Sequence, residues 1–363
     1  MNKIRRIIVT GDIFRVSQKG DQLGNQNVNI EWLYQLIRPC LEMLTGLSVV
    51  PLYCASGENC MATQIYNAKG FDVTFVSWVS LYESEPSPRM LAIMDDQFHE
   101  AFLVGFEMPE FVRRALDVLN IPYVDFTIHP VRFMDDLIFG IRSNLSGLAE
   151  ALRDWVVSED EIHLNVGFAR ATLARLPSVS KCNGVQGAAL FCGQTTDDKV
   201  LIRNGRLMRA DDFLPQFAEM CDQHERVFIK PHPFSPDNPV VLTLTRLFPN
   251  TEVVDANFYH LLVHDGITHI YSITSSTSIE AAYFGKDGRH LSRYPYVFTE
   301  FSASGGAYLT INSEIYSPKF WMQIIKLLKI NHSQSRCVDI VKVPSRMRRS
   351  LRSFWGADVF ERI

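Results

Sequence analysis

The sequence predicts an α/β protein of two doubly wound halves, each a mostly parallel sheet with helices on both faces. Three observations carry that expectation. Short apolar runs alternate with stretches of helical spacing from Arg6 onward, the pattern that builds βαβ units. The 363 residues are enough for two domains, each with its own core. In the second half, three polar motifs each follow an apolar run, which places them at the strand ends where open α/β sheets bind ligands.

Taken in order, Arg6 to Val9 reads as a buried strand running into the turn Thr10-Gly11-Asp12, and Ile30 to Leu47 repeats apolar residues at helical spacing. Strands are expected at Leu47 to Leu52, Val73 to Val76, Ala101 to Val104 and Val124 to Ile128, with helices between them, such as Glu110 to Leu119. Val156 to Lys181 has helical character and is expected to bridge the halves. A second series then alternates. Its strands are Gly187 to Cys192, Arg226 to Ile229, Glu252 to Val254 and Thr268 to Ile273. Its helices are Asp211 to Gln223, Val240 to Phe248, Phe258 to Val263 and Ser278 to Phe284. The expected division is an N-terminal domain over 1–180, a C-terminal domain over 181–330 and a helical tail over 331–363.

Composition narrows the function classes. An apolar fraction of 47% and a charged fraction of 21% belong to a globular protein. A net charge of −4 argues against nucleic acid as the main partner. No run reaches the roughly 20 apolar residues of a membrane span, and the start Met1-Asn2-Lys3-Ile4-Arg5-Arg6 leads into a strand, unlike a signal peptide. A cytoplasmic location is therefore expected. Seven cysteines, an odd number without a CxxC pair, fit reduced thiols. No cluster at metal-ligand spacing is present, so neither a metal nor another cofactor is expected.

The three motifs are Gly193-Gln194-Thr195-Thr196-Asp197-Asp198, Lys230-Pro231-His232-Pro233 and Thr274-Ser275-Ser276-Thr277-Ser278-Ile279-Glu280. Ser275, Ser276 and Thr277 stand at a helix start, where hydroxyls and unpaired amides suit a phosphate. They equally suit a plain N-cap. Lys230, His232 and Pro233 form a stiff loop that offers a cation and an imidazole to the same group. Glu280, one turn into the helix, has the reach to accept bonds from ribose hydroxyls. Together these residues call for a nucleotide-sugar donor, and two Rossmann-like domains facing a central cleft are the GT-B arrangement of glycosyltransferases.

The order Gln-Thr-x-x-Asp, Lys-x-His-Pro and Thr-Ser-x-x-x-x-Glu-Ala resembles the retaining β-Kdo transferases of bacterial capsule and O-antigen synthesis, which use CMP-Kdo. The likeness falls on Gln194, Thr195 and Asp198, on Lys230, His232 and Pro233, and on Thr274, Ser275, Glu280 and Ala281. It spans about 90 residues, counted from the first motif to the third. Pro231 stands where capsule enzymes carry Thr. The resemblance implies that Asp198 is a nucleophile, that Gln194 supports it, and that retention follows from double displacement. Asp197, its neighbour on an extended segment, points the other way.

Acceptor-side candidates lie in the first half. Glu107 and Asp125 are carboxylates suited to deprotonating an acceptor hydroxyl, and Asp12, His129 and Arg132 suit the acceptor or the sugar carboxylate. A strand-end acid that is merely solvated is the plain alternative for each carboxylate. The C-terminal Arg346, Arg348, Arg349 and Arg352, interleaved with Met347, Leu351, Phe354 and Trp355, have two readings: a basic helix on the inner membrane surface near a lipid-linked acceptor, or a helix packed back on the first half. Three other functions share parts of the pattern: a CDP-glycerol glycerophosphotransferase, an inverting CMP-sialic-acid transferase, and an inert GT-B binding module.

Overall fold

A computed structural model describes residues 3–18, 26–54, 60–175, 182, 184–236, 238–332, 341 and 343–351. The first half contributes β1 (Arg6–Gly11), β2 (Ser48–Pro51), β3 (Ala101–Phe106), β4 (Tyr123–Ile128) and β5 (Phe139–Ser143). The second contributes β6 (Ala188–Cys192), a short hairpin of β7 (Ile202–Arg203) and β8 (Arg206–Leu207), then β9 (Val227–Lys230), β10 (Thr251–Val253), β11 (Ile267–Ser272) and β12 (Asp287–His290). Two last strands, β13 (Val297–Thr299) and β14 (Ala307–Ile311), return to the first sheet.

The sheet orders are β13-β14-β5-β4-β3-β1-β2 and β10-β9-β6-β11-β12. The second sheet is parallel throughout. The first is parallel from β2 to β4, and β5 pairs antiparallel with both β4 and β14. Strands covered on both faces read as continuous apolar runs because alternate side chains serve different cores. In β1, Ile7 and Val9 enter one core while Ile8 enters the other. In β6, Ala188, Leu190 and Cys192 serve one face, and Ala189 and Phe191 the opposite face. The molecule is thus a mixed α/β protein of two Rossmann-like halves.

Two differences from the sequence expectation bear on the site. Val73 to Val76 is not a strand: Thr74 caps a helix over Phe75–Tyr82 by accepting the Ser77 amide at 3.2 Å. A four-residue apolar run does not by itself separate strand from helix, and the cap decides it. The second difference concerns residues 297–327, expected in the second half. β13 and β14 extend the first sheet, and the helix Pro318–Leu327 sinks Phe320 and Trp321 into the same core as Phe126.

The hairpin crosses in the same direction: Ile202 is fully buried in the core of the first half. The last described segment also packs back on that half. Asp136 accepts the amides of Met347 and Arg348, each at 2.9 Å, at the start of the helix Arg346–Ser350. Buried Arg348 donates to the carbonyls of Arg132 and Met134. Arg352, Phe354 and Trp355 lie outside the described residues. Among those described, no helix is long and apolar enough to cross a membrane.

Candidate active site

The order of the second sheet makes β9, β6 and β11 consecutive neighbours, and their registers level their carboxyl ends, with Cys192 opposite both Lys230 and Ser272. The three motif loops therefore emerge side by side, at the switch point where parallel sheets open a crevice. Gln194 ties two of them together. Its side-chain carbonyl accepts the Thr274 amide at 2.7 Å, and its Nε2 donates to Thr274 Oγ1 at 3.1 Å.

The helix opening the third motif spans Ser276–Tyr283, with Ser275 at the N-cap, two residues earlier than the sequence expectation. Its start is fixed from several sides. Ser272 Oγ accepts the Ser275 amide, Ser278 Oγ lies 2.7 Å from Ser272 Oγ, and His290 Nε2 meets the Ser275 carbonyl at 2.9 Å. Gly288 lets the helix lie close on β12, since a Cβ there would stand 1.9 Å from the Ser278 carbonyl oxygen. Ser275 Oγ caps the helix by accepting the Thr277 amide at 3.4 Å, and the remaining first-turn amides, at the edge of the crevice, have no carbonyl of their own helix to bond.

A cavity of about 590 Å³ opens over these loops and against the first half. Gln194, Asp198, Lys230, His232, Pro233, Ser275, Ser276, Thr277 and Glu280 line it, joined from across the cleft by Glu107 and Arg132. His232 Nδ1 accepts the Phe234 amide at 3.1 Å, which puts the ring proton on Nε2. Burial and the Lys230 charge lower its pKa, so His232 offers a neutral N–H donor, and the cation of this loop is Lys230. Glu280 is buried; its Oε1 accepts the Arg132 backbone amide at 2.7 Å and the Tyr259 hydroxyl at 2.8 Å. Burial pushes its carboxyl up to about 7 against those donors.

Asp198 accepts the Val200 amide at 3.2 Å. Burial raises its pKa, opposed by that amide and by the charges of Lys199 and Arg15. Glu107, the residue after β3, has a φ of 57°, a left-handed backbone uncommon for a side-chain-bearing residue and often found at functional positions. Its carboxylate meets Lys199 Nζ at 2.5 Å and accepts the Thr127 hydroxyl at 3.0 Å. Burial pushes Glu107 upward, but Lys199 and Thr127 outweigh it and hold the group below the ordinary range, as an anion.

Three candidates stand apart from the cavity. Asp125 is fully buried and bound to Arg142 at 3.0 Å, to the Met108 amide and to the Tyr308 hydroxyl. His129 lies edge-on to Phe298, and burial lowers its pKa to about 3, leaving the ring neutral. Tyr308 and Phe298 belong to β14 and β13, so the strands that close over these side chains are those expected in the other half. Asp12 accepts the Trp78 indole N–H at 3.0 Å and is buried beneath the helix that replaces the expected strand at 73–76. None of the three lines the cavity. Asp197 is also off its wall, 3.8 Å from Arg15.

The cavity also contains residues that motif spacing did not single out: Arg15, Lys199, Tyr294 and Tyr296. Lys199 carries a signal in hindsight, being a cation beside Asp198. Tyr294 stacks on His290, with the Tyr296 ring edge-on to it. The six described cysteines are free thiols. Among the described residues no three His, Cys, Asp or Glu side chains gather as a metal site.

No family model matches the chain, and no curated protein sequence does. Among solved structures it is similar to a KpsC β-Kdo 2,7-transferase of Thermosulfurimonas dismutans, at 12% identity over 88% of this chain and 89% of that one, with a TM-score of 0.38. It is also similar to a KpsC β-Kdo 2,4-transferase of the same organism, at 16% identity over 76% and 77% of the two chains, with a TM-score of 0.36. Both likenesses are distant, and the chemistry of this site rests on the chain's own residues.

Proposed function

We propose that this chain is a retaining glycosyltransferase that moves β-Kdo from CMP-β-Kdo to a glycan or glycolipid acceptor in surface-polysaccharide synthesis. One observation carries the reading: a carboxylate, Asp198, shares a cavity with a Ser-capped helix start, Lys230 and the N–H of His232. A nucleotide phosphate needs the second set, and a glycosyl carbon needs the first. The family resemblance of the three motifs supplies the sugar.

In the first step an Asp198 oxygen attacks C2 of the sugar. The bond from C2 to the phosphate oxygen breaks, and CMP leaves with the electron pair. The developing charge on CMP is met by Lys230, by His232 Nε2–H and by the helix amides, which are oriented before the reaction begins. In the second step the acceptor hydroxyl attacks C2, Glu107 takes its proton, and the ester to Asp198 breaks. Lys199 keeps Glu107 ionised and so able to take a proton, although the same charge lowers its basicity. Two inversions give net retention.

No metal enters these steps. Transfer in excess EDTA, followed by NMR of the product anomer, tests the reading: β product from β donor supports it, and α product or CDP-glycerol turnover in place of CMP-Kdo turnover contradicts it.

A further inference from the structure

Arg15 belongs to the first half, four residues beyond the end of β1, yet its strongest polar contact is in the second. Its Nη2 donates to the main-chain carbonyl of Asp197 at 2.9 Å. That carbonyl is in the peptide unit that supplies the nitrogen of Asp198, so its direction sets the plane from which the Asp198 side chain departs. We infer that Arg15 is a positioning residue: it fixes the Asp197–Asp198 peptide from across the cleft and aims the Asp198 carboxylate at the sugar. The inference rests on the proposed role of Asp198.

The geometry supports a rigid anchor. The guanidinium lies 5.0 Å from the ring centre of Trp78, and its side chain is only 15% exposed. Trp78 is itself fully buried, with its N–H held by Asp12. Main-chain atoms next to Arg15 are also held, since the Tyr66 hydroxyl donates to the Phe14 carbonyl at 2.7 Å. A guanidinium can lie over an indole and still donate to a carbonyl, because its donors project from the edge of a flat group.

The residues after Asp198 are docked on the same half. Lys199 pairs with Glu107, the Asn204 amide donates to Glu83 at 2.7 Å, and Ile202 is in the first core. The segment bearing the carboxylate is therefore held on either side of Asp198 by the domain opposite the one that supplies its strand. The Asp197 side chain, 3.8 Å from Arg15, contributes much less than its carbonyl.

The test uses the full chain and CMP-Kdo. Adduct formation on Asp198 is followed by rapid quench and intact-protein mass spectrometry, with CMP affinity measured by calorimetry on the same samples. Arg15→Ala is expected to slow adduct formation roughly 100-fold while CMP affinity stays within about twofold, since misplacing a reacting group by about 1 Å costs that much. Arg15→Lys keeps the charge but not the flat fork, and is expected to fall between the two, at about a 10-fold loss. A wild-type rate in either variant overturns the inference, as does a parallel loss of rate and CMP affinity. If Arg15→Ala does not fold, the Lys variant decides by the same criteria. A wild-type enzyme that forms no adduct at all overturns the proposed function first, and is read before any variant is compared.

Discussion

Lys199 and Glu107 form an ion pair at 2.5 Å that joins the two halves within the cavity. Each holds the other charged against burial, which favours the neutral form of both. Lys199→Met removes one partner and leaves a carboxylate in a site built for an anion with a counter-ion. The expected loss is on the order of 2 kcal/mol of stability, below that of a fully enclosed pair because the Glu107 side chain keeps 24% exposure. Urea unfolding with an unchanged slope and a lower midpoint checks it. The same variant is expected to move the acid limb of the transfer rate to higher pH, because Glu107 loses the charge that lowers its pKa.

The proposed donor phosphate site makes a second prediction. Removing the His232 Nε2 donor or the Ser276 hydroxyl, as His232→Ala or Ser276→Ala, is expected to weaken CMP binding by roughly 10-fold each, in keeping with a lost hydrogen bond to a charged group. Thermal unfolding is expected to stay close to wild type, since both residues line the cavity and neither belongs to the buried core. Calorimetry with CMP measures the first quantity. Unchanged affinity in both variants contradicts the assignment.

How far the sequence foretold this site follows a physical divide. The motif residues were legible because each immediately follows a strand whose apolar run is unmistakable, and parallel neighbours bring such ends together. Asp125 and His129 looked equally available, but strand-end position says nothing about what covers the end. Their covers, Tyr308 and Phe298, come from strands far along the chain, and pairing over such separations leaves no periodic trace. Lys199 and Arg15 were illegible for the same reason: their roles are contacts across the cleft, between segments separated by 92 and 182 positions. Helix and strand periods record local burial, and these contacts are not local.

Glu280 predicts a pH dependence of stability. Its carboxyl sits at about 7 in the folded chain against an ordinary 4.5, so the native state binds a proton more tightly than the unfolded one. Stability rises where the unfolded state binds more protons; here the native state does, so the sign is negative. The contribution is fully present below 4.5 and is lost as pH rises through 7. Relative to Glu280→Gln, which does not titrate, wild type is expected to lose stability across that window by on the order of 3 kcal/mol. Denaturation midpoints of the two proteins from pH 4 to about 8 are the measurement, and a constant difference contradicts the prediction.

The C-terminal helix predicts a local effect. Asp136 takes the Met347 and Arg348 amides at its start, so Asp136→Ala is expected to cost about 1 kcal/mol, the usual loss of a capping acceptor. Amide exchange of residues 346–350 is expected to quicken in that variant before exchange in the core strands does.

Asp198 as nucleophile requires a bond between its carboxylate oxygen and C2 of the sugar, and intact-protein mass spectrometry after brief exposure to CMP-Kdo without acceptor measures that bond directly. Wild type is predicted to gain the mass of one sugar residue, mapped to Asp198 by peptide fragmentation, with release of CMP. Asp197→Asn is predicted to gain it too, while Asp198→Asn, unable to attack, gains none and still binds CMP. An Asp198→Asn or Asp198→Ala protein that transfers sugar at the wild-type rate, or a wild-type adduct mapped to another residue, would contradict the central claim.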